Sequence, residues 1–232
     1  MGKSTAKPFV PSEMVSTINK RVTGTRGRLI ILSAPSGAGK TSLAKALAES
    51  IANLKASISY TTRSPRESEK NDVDYFFVSR VVFERMIRAN AFLEHADVFD
   101  HLYGTAQKPV EAALSVGQSI VLDIDWQGAR KVRAVMSQVL SIFILPPSLD
   151  DLESRLIDRG QDSSEAINRR MDEAISEISH YTEFDYVIVN RDFTVALEEL
   201  REIVLTCQTP QSSEGFDLET FLQSKKNARL KG

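Results

Sequence analysis

The feature that most restricts the fold is a short glycine-rich segment, Ala34-Pro35-Ser36-Gly37-Ala38-Gly39-Lys40-Thr41. An apolar run at 28–33 precedes it, which is typical of a buried parallel strand. Apolar residues then recur at helical spacing, at Leu43, Ala44, Leu47 and Ile51. In a strand–loop–helix unit, the loop amides and the helix N-terminus point at one spot, which suits an anion. The segment therefore predicts a phosphate-binding loop, although Ala34 stands where the usual pattern begins with glycine.

Two side chains at the end of this loop predict what it binds. Lys40 can reach the β- and γ-phosphates of a nucleoside triphosphate, and the Thr41 hydroxyl can ligate magnesium. Asp123 ends a later apolar run, and the carboxyl ends of parallel strands are where such sheets bind ligands. We therefore expect Thr41 and Asp123 to share the metal. Asp125 fits a helix N-cap or turn equally well.

The rest of the chain alternates between strand and helix patterns. Apolar runs at 119–124, 140–145 and 185–190 predict strands, and helical spacing follows at 127–136, 148–156, 162–178 and 195–203. This order is typical of an α/β fold with a mostly parallel sheet covered by helices on both faces. The stretch 57–105 differs, because serine, threonine, arginine and aromatic residues dominate it. It indicates a small mixed α/β lobe inserted into the connectivity of the sheet.

Composition excludes several classes of protein. The net charge of −2 argues against a general nucleic-acid binder, and no apolar run approaches the ~20 residues of a membrane span. The single cysteine, Cys207, cannot form an internal disulfide, which favours a reducing compartment. We expect a cytoplasmic protein without nucleic-acid or membrane partners.

The inserted stretch also suggests an acceptor for the phosphate. Arg63 and Arg66 flank Pro65, and the fork of a guanidinium group binds phosphate through two hydrogen bonds. With the phosphate-binding loop, the segments 57–66, 92–96, 102–105 and 122–128 resemble the guanylate kinase family, in the family's order. The resemblance covers about 28–203. It implies a P-loop nucleoside monophosphate kinase that transfers the γ-phosphoryl group of ATP to GMP, and to dGMP, with Mg²⁺ as cofactor. It leaves the oligomeric state open.

The resemblance also implies roles for individual residues of the acceptor site. Arg63, Arg66, Tyr75 and Tyr103 would hold the GMP phosphate, while Ser59, Glu94 and Thr105 would read the base; Asp123 is counted in the same site. Guanine presents a ring N–H beside an exocyclic NH₂, and a carboxylate can accept from both, whereas adenine offers an acceptor there. We expect Glu94 to supply most of the preference for guanine.

For the donor site, the resemblance implies that ATP contacts the loop 34–41 and that Asn190 contacts adenine. The catalytic cations would be Lys40 with Arg155, Arg159 and Arg170, the arginines belonging to a helical lid. Phosphoryl transfer depends mainly on positioning and charge stabilisation. Arginines that close over the phosphates can bridge donor and acceptor and exclude water.

The family pattern divides the chain into a core, two inserted units and two ends. The core is 28–56, 106–149 and 181–206; the GMP-binding lobe is 57–105 and the lid 150–180. We interpret 1–27 as a flexible extension and 207–232 as a peripheral tail. The loop 67–74 lacks the glycines usual in the family, so we expect it to be stiffer or differently shaped.

Two alternatives use the same scaffold. A kinase of another small phosphorylated acceptor is disfavoured by the base-reading set Ser59, Glu94 and Thr105. An interaction module without chemistry is disfavoured because Lys40, Asp123 and the arginines are all present.

Overall fold

The computed structural model describes residues 26–98, 100–158, 164–208 and 221. Its strands are β1 (Leu29–Ser33), β2 (Leu54–Ala56), β3 (Tyr60–Thr61), β4 (Phe76–Phe77), β5 (Phe92–Val98), β6 (His101–Ala106), β7 (Ser119–Asp123), β8 (Val139–Leu145) and β9 (Tyr186–Val189). Its α-helices are α1 (Lys40–Ser50), α2 (Arg80–Arg88), α3 (Gln107–Ser115), α4 (Trp126–Val135), α5 (Leu149–Asp158), α6 (Ser164–Ile178) and α7 (Phe193–Thr206).

Five strands form a parallel sheet in the order β2-β7-β1-β8-β9. Successive residues of the central strand β1 face opposite sides: Leu29 and Ile31 belong to one buried cluster, Ile30 and Leu32 to the other. A strand buried on both faces needs apolar side chains throughout, which explains the unbroken apolar run in the sequence. The predicted α/β fold with a mostly parallel sheet is confirmed.

A second sheet of four strands, in the order β4-β3-β6-β5, forms the inserted lobe together with α2. Its strands run in mixed directions, with β3 parallel to β4 and the β3–β6 and β5–β6 pairs antiparallel. The lobe packs on aromatic rings, because Phe83 of α2 is fully buried and stacks on Phe92 with 4.4 Å between ring centroids. The inserted mixed sheet that the sequence predicts is therefore present.

Some elements were not predicted. Helix α3 follows β6 directly and carries Pro109 in its first turn, where proline costs no hydrogen bond. Strand β2 is only three residues long, too short for a periodicity. The cap that the sequence places at Asp162 lies outside the described residues.

The two ends of the chain are described only in small part. Residues 1–25, most of the extension that the sequence predicts to be flexible, lie outside the described residues. Phe221 is 9% exposed and belongs to the buried cluster that contains Leu29. A buried phenylalanine removes a large apolar area from water, so this residue of the predicted tail packs against the core.

Among the helices that the structure describes, none combines the length and the apolar character needed to cross a bilayer.

Candidate active site

A cleft of about 500 Å³ lies between the carboxyl edge of the parallel sheet and the inserted lobe. This volume is within the usual range for small-molecule sites. Most of the predicted site residues line it: Ala34, Pro35, Ser36, Gly37, Gly39, Lys40, Thr41, Ser59, Arg63, Arg66, Tyr75, Glu94, Tyr103, Asp123 and Arg170. Ala38, Thr105, Arg155 and Asn190 lie behind its walls, and Arg159 lies outside the described residues.

The floor of the cleft is the loop between β1 and α1. Because β1 and β7 are neighbours in register, with Leu32 opposite Asp123, the loop leaves the sheet beside that carboxylate. Lys40 Nζ lies 3.0 Å from Asp123 Oδ1, and the Thr41 hydroxyl donates to Asp123 Oδ2 at 2.5 Å. Burial alone would lower the pKa of Lys40, but the carboxylates around it, Asp123 foremost, hold that pKa above its ordinary value. The lysine is therefore a permanent cation.

Thr41 and Asp123 also supply the kind of atoms that a magnesium ion prefers. Both present oxygen to the cleft, and Mg²⁺ is typically held by one or two such protein ligands together with water and phosphate oxygens. No group of three or more His, Cys, Asp or Glu side chains suited to a metal occurs in the described residues. The donor set thus fits magnesium brought in with a phosphate ligand.

Asn190 supports the loop from behind. Its side-chain amide donates to the Ala38 carbonyl at 2.8 Å, and the residue is buried. Gly39 has φ 93°, and a Cβ at that position would lie 2.7 Å from Asn190 Nδ2, so only glycine fits there. Arg155 donates to the Asn190 carbonyl at 3.2 Å. Asn190 thus contacts the loop itself, and Arg155 contacts Asn190.

A buried carboxylate faces the cleft from the inserted lobe. Glu94 on β5 pairs in register with Thr105 on β6, and the threonine hydroxyl donates to Glu94 Oε1 at 2.7 Å. Glu94 is only 5% exposed, and burial raises its pKa, although the hydrogen bond from Thr105 opposes that shift. A Cβ at Gly128 would lie 3.0 Å from Glu94 Oε2, so the glycine leaves room for this oxygen.

Asp125 is the N-cap of α4. Its Oδ1 accepts from the Gly128 N–H at 2.6 Å, which is the structural role that the sequence left open. The residue also lines the cleft between Asp123 and Glu94.

The arginines of the lobe are held by a residue that the sequence did not single out. Glu69 accepts from Arg63 Nη1 and Nη2 at 2.9 and 2.8 Å, and from the Arg66 backbone N–H at 2.8 Å. The guanidinium group of Arg63 holds the pKa of Glu69 below its usual range. Arg63 also lies 5.5 Å from the Tyr75 ring centroid, and burial raises the pKa of Tyr75 to about 12. In the sequence, the only sign of this role for Glu69 is that an acidic residue follows Arg66 by three positions.

Polar side chains hold the glycine-poor loop 67–74 in shape through hydrogen bonds and an ion pair. Asp72 adopts φ 64°, a conformation that costs an ordinary residue about 1–2 kcal/mol and that aspartate tolerates better than most. Asp74 accepts from the Lys70 N–H at 2.9 Å and pairs with Lys45 of α1 at 2.5 Å. The loop therefore connects the lobe to the helix that follows the phosphate-binding loop.

Helix α6 supplies the remaining wall. Arg170 lines the cleft, and Glu177 Oε2 accepts from the Ser36 backbone N–H at 3.2 Å. Burial raises the pKa of Glu177 to about 7. Sequence reasoning missed Glu177, because its partner in the loop is 141 residues away and no local pattern joins the two.

A parallel sheet with this loop, facing a lobe that presents two arginines and a buried carboxylate, defines a P-loop kinase acting on a small phosphorylated acceptor. The comparisons with known proteins agree. The family model described as "Guanylate kinase" matches residues 26–206. The chain belongs to the guanylate kinase family, which confirms the resemblance seen in the sequence.

Individual guanylate kinases are similar to this chain in sequence and in structure. The guanylate kinase of Nitrosococcus oceani is 55% identical over 178 residues, covering 77% of this chain and 88% of the relative. That of Methylococcus capsulatus is 56% identical over 182 residues, covering 78% and 89%. The crystal structure of guanylate kinase from Anaplasma phagocytophilum matches with a TM-score of 0.66 at 34% identity, covering 88% of this chain and 98% of that one.

Proposed function

We propose that this chain transfers the γ-phosphoryl group of ATP to GMP, giving ADP and GDP, in the cleft between the sheet and the inserted lobe. The observation that carries the proposal is that one cleft is lined by the loop with Lys40, by Arg63 and Arg66, and by the buried carboxylate of Glu94. The loop with Lys40 would form the first anion site, and the two arginines would form the second. Membership of the guanylate kinase family supports the same activity.

ATP would occupy the sheet side of the cleft. The amides of the loop 34–41 and the Lys40 ammonium would bind its β- and γ-phosphates, and Thr41 and Asp123 would hold Mg²⁺ or its waters. Magnesium, when bound, would neutralise charge on the β- and γ-phosphates. Since Lys40 and Thr41 both contact Asp123 in the structure, they would exchange that contact in part for phosphate and metal. Asn190 would keep the loop in shape through Ala38.

GMP would occupy the lobe side. Arg63, Arg66, Tyr75 and Tyr103 would bind its phosphate, in line with the γ-phosphate held by the loop. The Glu94 carboxylate would accept from guanine N1–H and N2–H₂, with Ser59 on the cleft wall and Thr105 orienting Glu94 from behind. AMP would place a ring acceptor against this buried carboxylate, which explains the expected preference for GMP.

The catalytic step needs positive charge between the two substrates and the absence of water. The acceptor phosphate oxygen is already anionic, so no strong base is required. Arg170 reaches the cleft from α6, while Arg155 contacts Asn190 in the structure and would have to move to reach a phosphate. We propose that closure of the lid segment brings Arg155, Arg159 and Arg170 over the phosphates and excludes water.

The test is a coupled assay of ADP formation with ATP, Mg²⁺ and one of GMP, AMP, CMP or UMP, with a reaction lacking any acceptor as control. We expect a kcat/KM for GMP about 10²-fold or more above that for AMP. Equal use of GMP and AMP would contradict the assignment of Glu94. ADP formation that does not depend on an acceptor would indicate an ATPase, and no turnover with any acceptor would favour the interaction module.

A further inference from the structure

Glu177 joins helix α6 to the phosphate-binding loop in a way that the roles above do not explain. Its carboxylate lies on the cleft wall and accepts a hydrogen bond from the Ser36 backbone N–H at 3.2 Å. Ser36 belongs to the loop whose amides suit an anion. A carboxylate of the protein itself therefore satisfies an amide of that loop.

The charges facing Glu177 come from three elements. Lys40 of α1 attracts the carboxylate, whereas Asp125 at the start of α4 and Glu173, one turn earlier on α6, repel it. Burial is the largest influence, and together these effects raise the pKa of Glu177 to about 7. Asp123 and Arg170 line the same cleft. The carboxylate is therefore held in place by Ser36 and Lys40 in surroundings that otherwise disfavour its charge.

A triphosphate entering the loop would meet this carboxylate. Its phosphates would bind the ammonium of Lys40, and the attraction of that ammonium is the main effect that keeps Glu177 charged. It would also bring several negative charges close to a partly buried carboxylate, and like charges in such surroundings repel strongly. These charges therefore favour the neutral acid of Glu177 over its carboxylate.

We propose that Glu177 is an internal competitor of the ATP phosphates: its carboxylate binds the loop through Ser36 and weakens nucleotide binding until it is protonated. This inference rests on the proposed function, because it places the ATP phosphates at the loop 34–41. It makes α6 the element that detects whether the loop is occupied, because Glu177 and the cleft-lining Arg170 lie on the same helix.

A dependence on pH follows, and its sign can be derived. A phosphate near Glu177 favours the neutral acid, so the pKa of Glu177 is higher in the complex than in the free protein. Binding therefore takes up a proton between these two pKa values, and affinity falls as pH rises above about 7. The limiting slope is about tenfold per pH unit. Well below pH 7 the acid is already neutral and has no further effect.

The experiment compares wild type with Glu177→Gln, and uses Glu165→Gln, at an exposed acid of the same helix outside the cleft lining, as the matched control. The full chain is titrated with Mg²⁺ and a non-hydrolysable ATP analogue by calorimetry at pH 8. Removing the charge while keeping a hydrogen-bonding side chain should tighten binding by about tenfold in Glu177→Gln. Glu165→Gln should change affinity by less than about threefold. Affinity for GMP should not change in either variant.

A second measurement does not depend on any variant. Titrations of the wild type in buffers of different ionisation enthalpy report the protons taken up, which should approach one at pH 7.5–8 and vanish in Glu177→Gln. Unchanged or weaker analogue binding in a Glu177→Gln protein with normal thermal unfolding would overturn the proposal, as would the absence of proton uptake in the wild type. A wild type that binds the analogue but makes no GDP from GMP would instead refute the proposed function.

Discussion

The two sides of the cleft are built differently. On the sheet side, the loop follows a fully buried strand, and its proposed anion site consists of backbone amides, one lysine and a helix N-terminus. On the lobe side, Arg63 and Arg66 lie in an irregular loop between two-residue strands. The Glu69 carboxylate orients the Arg63 guanidinium group and accepts from the Arg66 backbone N–H. The first site depends on main chain placed by the core, and the second on side chains that hold one another.

This difference predicts which substitutions impair each side of the cleft. Backbone amides cannot be removed by substitution, so the sheet side fails when its lysine or its supporting contacts are lost. The lobe side instead depends on ion pairs, several of which are partly exposed and each of which can be removed separately. Substitutions should therefore separate the two substrates, and the following experiments test that separation in order of expected effect.

The largest effect is expected for Lys40→Ala. Loss of the only lysine in the glycine-rich loop should lower kcat by about 10³-fold, as removal of a preorganised charge typically does. The GMP dissociation constant, measured by calorimetry, should stay within about threefold, because the lobe side is untouched. Lys55→Ala, at an exposed lysine of strand β2, should match wild type in both measurements. Parallel loss of GMP binding would show that the two sides do not act separately.

Glu94→Gln should come next, acting on the acceptor alone. The carboxamide places an NH₂ or a weaker acceptor against guanine, so the ratio of kcat/KM for GMP to that for AMP should fall by about 10²-fold. The KM for ATP should change little. A variant that keeps the wild-type ratio would remove Glu94 from the base-reading role.

The same carboxylate predicts a pH profile. Because burial raises the pKa of Glu94, its protonation begins at a higher pH than that of an exposed carboxyl. The acid form cannot accept from both guanine donors, so kcat/KM for GMP should fall as pH is lowered through that pKa. The decline should be absent in Glu94→Gln, whose side chain does not titrate.

Glu69→Gln should have an intermediate effect. The amide keeps the size of the side chain but loses the paired charge that orients Arg63, so the KM for GMP should rise by about tenfold. Glu67→Gln, at an exposed acid of the same loop, is the control and should stay within about twofold. A lower KM in Glu69→Gln would mean that Glu69 competes with the GMP phosphate instead of orienting its ligand.

The smallest effect is expected at the ion pair between Lys45 and Asp74, which joins the two sides. Its lysine is half exposed, and solvent screens such pairs so that they contribute little. Lys45→Met should raise the KM for GMP by no more than about threefold, and 0.5 M salt should remove the difference. A double-mutant cycle with Asp74→Asn measures the coupling. A large, salt-independent coupling would make this pair a main determinant of lobe position.

The contrast between the two sides also explains what the sequence could predict. The strand, loop and helix around Lys40 are contiguous, and each has a local signal, so the fold class and this half of the site could be read directly. The rule that parallel sheets bind ligands at the carboxyl ends of their strands placed Asp123 at the same edge of the sheet as the loop. The family resemblance supplied Arg63 and Glu94, and the cleft brings both to its walls.

What the sequence could not predict depends on contacts between distant segments. Glu177 meets Ser36 only after the sheet and α6 are packed together. Asn190 was predicted to contact ATP and Arg155 to act as a catalytic cation. The contacts of Asn190 with Ala38 and of Arg155 with Asn190 are long-range, and no local pattern indicates them. Phe221 lies in a polar stretch, and its burial is decided by the cluster it joins.

The support that Asn190 gives to the loop has a consequence for synthesis. The whole glycine-rich segment emerges from the ribosome early, whereas Asn190 and β9 emerge about 150 residues later. A nascent chain that ends before β9 contains every loop residue but not the amide that binds Ala38. We expect that such an arrested chain cannot retain ATP, and that nucleotide competence is acquired only near the end of translation.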